Sequence, residues 1–401
     1  MDYGKMITKK IKSIGESPTI AIDEKAKMLK KKGVDVISFA MGEPGFDTPE
    51  NIKEKAIESI QAGFTKYTPV AGIDELKSAI VAKLKRDNMI DYSLSEVIVS
   101  CGAKHSLFNI SQALFDGDDE VIILAPYWVT YPAQVTLAGA RPVIVDTSKF
   151  DDLMISKHEL KEYVTSKTKA IILNNPCNPS GKVYSRQELE VVAQIVLENN
   201  IFVISDEIYE RLVYDEVHHM SVAALSKEIK TRTITVNGVS KTYAMTGWRI
   251  GYSAGPQELI DAMKKFQGQV TSNPVSIAQY ASSEALTGPQ HYVDHMRIKY
   301  QERRDYVVKE LNSIEGITCR MPEGAFYAFP NVADLFGRKS GDVVIKNSMD
   351  FCSFVLDEAR VAMVPGKAFG CDNFVRLSYA VNMQSIKNGI ERIRNAMDKL
   401  E

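Results

Sequence analysis

Two positively charged residues stand where a chain seldom leaves a charge unused. Lys241 follows an apolar run, TITV, and a small-residue turn, Asn237-Gly238-Val239-Ser240. Arg249 comes eight residues later, between Trp248 and Ile250, in the stretch SKTYAMTGWRIGY. A lysine at the end of a buried strand is costly unless its amine is paired or chemically used. A surface lysine on a loop is the plain alternative, and this stretch alone does not decide between them. Asp206 closes the apolar run IFVIS, where a carboxylate either pairs with a cation or holds a protonated nitrogen. Asn178 and Tyr209 lie near neighbouring strand ends and can bond one oxygen or serve only the fold. Arg376, inside FVRLSY, calls for a bidentate carboxylate, which an internal salt bridge would also supply. Cys101-Gly102-Ala103 precedes a helix starting near Lys104, and backbone N–H groups exposed there suit an anion. His291 and His295 are spaced i, i+4 beside Asp294 but have no third ligand motif, so they read as an ordinary helix face with no metal. The chain has neither a G-x-x-x-x-G-K-[ST] loop nor a Gly-x-Ser-x-Gly nucleophile turn.

These groups need a scaffold, and the text between about 95 and 255 describes one. Short apolar runs (EVIVS, EVIILA, RPVIVD, KAIILNNP, IFVISDE, TITVN, RIGYSAG) alternate with helical patterns. That alternation predicts an α/β fold with a mainly parallel sheet covered on both faces. Ligands of such sheets sit beyond the carboxyl ends of the strands, where the segments named above fall. Ahead of the sheet, residues 19–32 read as a helix ending at Gly33, then a strand, VDVISFA, closed by the turn Met41-Gly42-Glu43-Pro44-Gly45. Thr48-Pro49-Glu50 reads as a helix start with Thr48 as hydroxyl cap, and Asp74 to Arg86 as another helix. Beyond about 290 a long charged helix leads into short strands and a last amphipathic helix, a smaller α+β domain. The expected division is 1–45 as an N-terminal segment joining the small domain, 46–290 as the large domain and 291–401 as the small one.

Bulk properties exclude several functions. A net charge of −2 over 401 residues offers no electrostatic case for nucleic acid or an anionic membrane. The uncharged window 121–140 contains Pro126 and Pro132 and reads as strand, loop and short helix, not as a membrane span. Five cysteines without C-x-x-C spacing suggest reduced thiols in a cytoplasmic protein. The N-terminus lacks the apolar core of a secretory signal.

Taken together, NNPCNPSG, SDEIYE, SKTYAMTGWRIGY, EGAFY and VRLSYA, with MGEPGFDTPE and KYTPVAGI ahead of them, resemble the pyridoxal-phosphate-dependent aminotransferases of fold type I, class I. The resemblance runs from about residue 15 to 398 in the family's order. It implies a large domain with a mainly parallel seven-stranded sheet between helices, and a homodimer with shared active sites. Lys241 matches the lysine that forms a Schiff base with the cofactor, pyridoxal 5'-phosphate. Asp206 matches the acid on the pyridinium nitrogen, and Asn178 and Tyr209 the groups on the phenolic oxygen. Arg249 matches the phosphate arginine, assisted by backbone at Gly102, Ala103 and Lys104 and by Tyr67 from the neighbouring subunit. Trp128 matches the aromatic packed on the cofactor ring. Arg376 matches the clamp on the substrate α-carboxylate, with a backbone contact at Gly42.

Within that family the segment CGAKHSLFN resembles the aspartate aminotransferases of the bacterial and archaeal branch, where a lysine in this place meets the substrate's distal carboxylate. Lys104 fits, and Thr271-Ser272-Asn273 matches a helping segment from the other subunit. The implied substrates are aspartate or glutamate with 2-oxoglutarate or oxaloacetate. The alternatives are an aromatic or broad-specificity aminotransferase, or a carbon–sulfur lyase on the same site. Gly15 stands near the place where some relatives carry a basic residue for prephenate. Gly238 replaces a phosphate-binding hydroxyl, leaving Ser240 or a backbone group as substitute. Regulators built on this fold carry an added N-terminal DNA-binding domain, for which the chain leaves no room.

Overall fold

The computed structural model describes residues 3–16, 18–149, 153 and 156–401. Seven strands form the main sheet: β2 (Val97–Ser100), β3 (Glu120–Ala125), β4 (Arg141–Asp146), β5 (Thr168–Asn174), β6 (Phe202–Asp206), β7 (Thr233–Gly238) and β8 (Gly251–Ala254). Their spatial order is β2-β8-β7-β6-β5-β3-β4. Only β8 runs against its neighbours β2 and β7; every other pairing is parallel. Alternation along each strand supplies two cores. Val121 and Ile123 join Ile172, Ile204 and Ile234 under the helices Ala103–Leu114 and Gln257–Val270. Ile122 and Leu124 join Ile171, Leu173 and Val203 under the helix Arg186–Glu198. Burial on both faces is why these strands read as unbroken apolar runs.

The remaining short strands lie outside this sheet. β1 (Ile37–Ser38) pairs in parallel with β12 (Val361–Ala362). β9 (Tyr327–Ala328), β13 (Val364–Pro365) and β14 (Val375–Ser378) form an antiparallel sheet in the order β13-β14-β9. β10 (Lys339–Ser340) and β11 (Val343–Val344) make a small hairpin. The helices His291–Leu311, Ser348–Ala359 and Met383–Met397 pack with them around Phe326, Phe351, Leu377 and Ile390. The window 121–140 is strand, loop and the helix Thr130–Ala138, and among the described residues no helix is long and apolar enough to cross a membrane. All five cysteines are free, Cys101 half-buried and the others buried.

One expected local feature is different. Thr48 does not cap the helix Glu50–Gln61; Pro49 holds the cap position, and no side chain bonds the first turn there. The Thr48 hydroxyl instead donates to the Ala244 carbonyl at 2.8 Å and accepts from the Trp248 indole at 3.0 Å. A tertiary partner has taken the group that local sequence would assign to the cap.

Between the helix Asp74–Asn88 and the segment after β6 lies a buried ion pair. Lys83 and Glu210 are both nearly inaccessible and bond each other, and Asn88 bonds both. Burial pushes the Glu210 carboxyl up, but Lys83, His219 and Asn88 outweigh it and hold the group below its usual range. Lys83→Met should therefore lower the unfolding free energy by about 3–5 kcal/mol, because it strands a buried carboxylate. Adding Glu210→Gln should recover more than half of that loss, as measured by urea titration.

Candidate active site

The sheet register sets the site. Asn174 at the end of β5 pairs with Asp206 at the end of β6, and Asp206 with Val236 near the end of β7. Gly251, which opens the reversed strand β8, sits opposite both Gly238 and Ser100. The segments after β2, β3, β5, β6 and β7 and the residue before β8 thus emerge along one edge. A cavity of about 290 Å³ opens there, lined by Ala103, Lys104, Trp128, Asn178, Asp206, Tyr209, Ser240, Lys241 and Arg249. Gly42, Tyr327 and Arg376 close it from the other elements.

Lys241 is half-buried, and its Nζ donates to the Gly42 carbonyl at 2.6 Å. Burial lowers its ammonium to about 8, with Arg249 and Arg376 adding to the effect and Glu43 and Asp206 opposing it. Asp206 is buried and accepts from the Tyr131 hydroxyl at 2.7 Å. Burial raises its carboxyl to about 6 although Tyr131 and the Ile208 amide favour the charged form. A buried carboxylate with two neutral donors can hold a protonated heterocyclic nitrogen.

Arg376 is buried, and burial depresses it. Nη1 donates to Asn178 Oδ1 at 3.0 Å and Nη2 to the Ala40 carbonyl, while Nε has no partner. The Tyr327 ring lies 4.6 Å from the guanidinium carbon, and the Tyr327 and Tyr209 hydroxyls bond each other at 2.7 Å. Neither the internal salt bridge nor any other carboxylate partner for Arg376 is found among the described residues. A guanidinium held by neutral acceptors, with a donor unspent, suits an incoming carboxylate. A Cβ at Gly42 would lie 2.3 Å from the Tyr327 hydroxyl, so the turn can come this close only with glycine.

At the other end, Gly102 has φ +88° and precedes the helix Ala103–Leu114, whose first amides have no partner within the helix. A Cβ at Gly102 would lie 2.3 Å from the Arg249 guanidinium. Among the described residues, Arg249 bonds only backbone oxygens, those of Thr246 at 2.9 Å and Cys101 at 3.4 Å. Free helix-start amides facing an arginine suit an anion such as a phosphate. Ser240 lines the cavity beside it; Gly238 does not, and a Cβ there would press on the Ile250 carbonyl at 2.8 Å. Lys104 stands 4.9 Å over the Trp128 ring, and burial, with Arg249, lowers its ammonium.

Some sequence candidates lie elsewhere. Tyr67 is 90 % exposed and outside this cavity, as are Thr271, Ser272 and Asn273. Gly15 is exposed, with nothing near it. Conversely, Tyr131, Tyr327, Thr19 and Ile20 were not singled out by sequence. Tyr131 sits three residues beyond Trp128 in APYWVTYP and Tyr327 ends the motif EGAFY, so both had a signal; Thr19 and Ile20, on a mixed helix, had none. Apart from the cavity, Glu207, Glu210 and His219 bring ligand atoms within 4.8 Å of one another. They are already engaged: Ser205, Ser221 and His219 bond Glu207, and Lys83 bonds Glu210.

The model of the family "Aminotransferase class I and II" matches residues 34–393. The aspartate aminotransferase of Bacillus sp. strain YM-2 is 46% identical over 388 residues, 97% of this chain and 98% of that protein. A probable aspartate/prephenate aminotransferase of Rickettsia conorii is also 46% identical, covering 98% of each. The crystal structure of the aspartate aminotransferase from Rhizobium meliloti superposes with a TM-score of 0.95 at 43% identity, covering 98% of this chain and 99% of that one. The anion cradle that a Cβ would fill, the buried Asp206 and the poised Lys241 fit a phosphorylated pyridine aldehyde, and with these matches they place the chain in the class I and II aminotransferase family, whose cofactor is pyridoxal 5'-phosphate.

Proposed function

We propose that this chain is an aspartate aminotransferase, moving the amino group of aspartate or glutamate to 2-oxoglutarate or oxaloacetate in two half-reactions. The observation that carries the reading is Arg376, a buried guanidinium with only neutral partners and a free donor, facing the same cavity as Lys241. In this reading Arg376 holds the substrate α-carboxylate with backbone at Gly42, and Lys104 meets the distal carboxylate. Arg249, Ser240 and the amides of Ala103 and Lys104 take the cofactor phosphate beside the Gly102 backbone, whose own N–H is spent on the Ser100 carbonyl. Asp206 holds the ring nitrogen, Asn178 and Tyr209 hold the ring oxygen, and Trp128 covers the ring and excludes water. The bound cofactor supplies the electron sink for charge developing at Cα. Lys241 Nζ would take the proton from Cα and deliver it to the cofactor's C4′, acting as base and then acid, a task that begins with a neutral amine; the lowering to about 8 brings that form into the working range. Arg376 fixes the orientation of the Cα–H bond.

The reading includes a cytoplasmic homodimer. Its support is an exposed apolar group, Ile57, Ile60, Phe64, Val270 and Val275, on the segments that carry Tyr67 and Thr271-Ser272-Asn273. A second copy seated there would bring Tyr67 to the partner's phosphate. It also includes the division into 46–290 and 291–401 with 1–45 joined to the latter, supported by the β1–β12 pairing. Activity on aromatic substrates is a second reading, favoured by Ile20, Trp128 and Tyr327 along the cavity.

Lys241→Ala should abolish turnover, and its cofactor absorbance should neither bleach with aspartate nor return with 2-oxoglutarate; normal turnover would overturn the mechanism. Lys104→Met should lower kcat/KM for aspartate by about 10- to 100-fold, the worth of a charged hydrogen bond, and leave phenylalanine within about threefold. Equal losses for both would remove the acidic preference from Lys104. Capture of the cofactor aldehyde by cofactor-free chain requires neutral Lys241. Because burial lowers this ammonium to about 8, the capture rate should climb with pH up to about 8 and level off above it. A rate still climbing near the ordinary lysine value of 10.5 would contradict this.

A further inference from the structure

Arg249 reaches the anion cradle from a turn that is conformationally expensive. Ala244 and Arg249 both have positive φ, +51° and +56°, without being glycine. Such residues persist only where their surroundings over-determine them. Beside the buried Met245 side chain and the bond from its N–H to the Ser240 carbonyl, one hydroxyl from a distant segment holds this turn twice. Thr48 Oγ1 donates to the Ala244 carbonyl at 2.8 Å and accepts the Trp248 indole N–H at 3.0 Å. It thus grips the turn at its strained first residue and again immediately before Arg249. The same N-terminal segment grips the middle of the turn, where the Thr246 hydroxyl donates to Glu43 at 2.5 Å. The Thr246 carbonyl is the acceptor that aims Arg249 Nη1. Thr48 is half-buried, does not line the cavity, and leaves its own helix without a side-chain cap.

We propose that Thr48 is a positioning residue for the Arg249 guanidinium, and through it for the cofactor phosphate. A hydroxyl both donates and accepts, so the single Thr48 Oγ1 can hold a carbonyl acceptor and an indole N–H donor at two places along the turn. Valine keeps the shape of threonine and loses both bonds; serine keeps both. The proposal rests on the reading that Arg249 takes the phosphate.

The test titrates full-length, cofactor-free chain with pyridoxal 5'-phosphate and, separately, with pyridoxal, which lacks the phosphate. Binding is followed by cofactor absorbance, with circular dichroism and Tm as controls. Thr48→Val should bind pyridoxal 5'-phosphate about tenfold more weakly and pyridoxal within about twofold of the parent, while Thr48→Ser should behave as the parent. Arg249→Gln is the reference and should lose affinity for the phosphorylated ligand alone. If Arg249→Gln shows that loss and Thr48→Val does not, the positioning role is wrong and the phosphate reading stands. Equal losses for both ligands in Thr48→Val would reduce Thr48 to a general structural residue and overturn the proposal. Arg249→Gln binding pyridoxal 5'-phosphate like the parent would overturn the phosphate reading and the proposal together. Should Thr48→Val not fold, Trp248→Phe removes the indole donor from the other side of the same clip. It should show the same selective loss; unchanged affinity would count against the clip.

Discussion

Four cationic side chains, Lys104, Lys241, Arg249 and Arg376, line one cavity that holds a single carboxylate, Asp206, among the described residues. Like charges gathered in a poorly solvated space repel one another more strongly than they would in water. The strain shows in the ionisation of the groups: burial depresses Lys104, Lys241 and Arg376, and their cationic neighbours add to the effect at Lys104 and Lys241. Glu43 and Asp206 offset part of this at Lys241, but among the described residues no carboxylate bonds any of the four cations directly. The fold holds the cations with neutral acceptors, the carbonyls of Gly42, Ala40, Thr246 and Cys101 and the amide oxygen of Asn178. Carbonyls orient a cation without neutralising it, so the charge remains available to an anionic ligand. A phosphate at one end and one or two carboxylates at the other are the complement that such a cavity calls for.

Holding these groups without acids demands that backbone be placed accurately, which is the work of the sheet register. Aligned strand ends at Asn174, Asp206 and Val236 start three loops from one level. The single reversed strand, β8, lets Arg249 enter the same edge from the opposite chain direction. Arg376 and Gly42 arrive from outside this sheet, on β14 and after β1, and meet where Arg376 bonds the Ala40 carbonyl. The cluster around Arg249 is thus built at the edge of the large sheet, and the cluster around Arg376 where that edge meets the elements outside it.

The sequence carried much of this because its signals are local. Apolar runs closing on Asp206 or on the Asn237-Gly238-Val239-Ser240 turn mark strand ends, and strand ends of a parallel sheet share an edge whatever their order. Lys241, Asp206, Asn178, Tyr209, Arg249, Trp128 and Lys104 accordingly line one cavity, which Arg376 joins from β14, outside that sheet. Thr48 shows the opposite case. Hydroxyl, proline, acid is the pattern of a helix start, yet the hydroxyl is spent on Ala244 and Trp248, about 200 residues away. No local pattern reports a competitor at that separation. Tyr131 and Tyr327 lay within motifs already noticed, but their bonds to Asp206 and Tyr209 depend on which loops face each other.

What the sequence determined by itself, then, was the set of chemical groups, the α/β alternation that brings them to one edge, and the family to which they belong. Periodicity and residue type suffice for these, since each is written within a few residues. Tertiary structure decided that Arg376 has no internal acid partner, that Lys241 is poised by burial among cations, and that Thr48 clips the Arg249 turn. Each depends on desolvation or on a contact between distant segments, quantities that exist only once the chain has closed on itself.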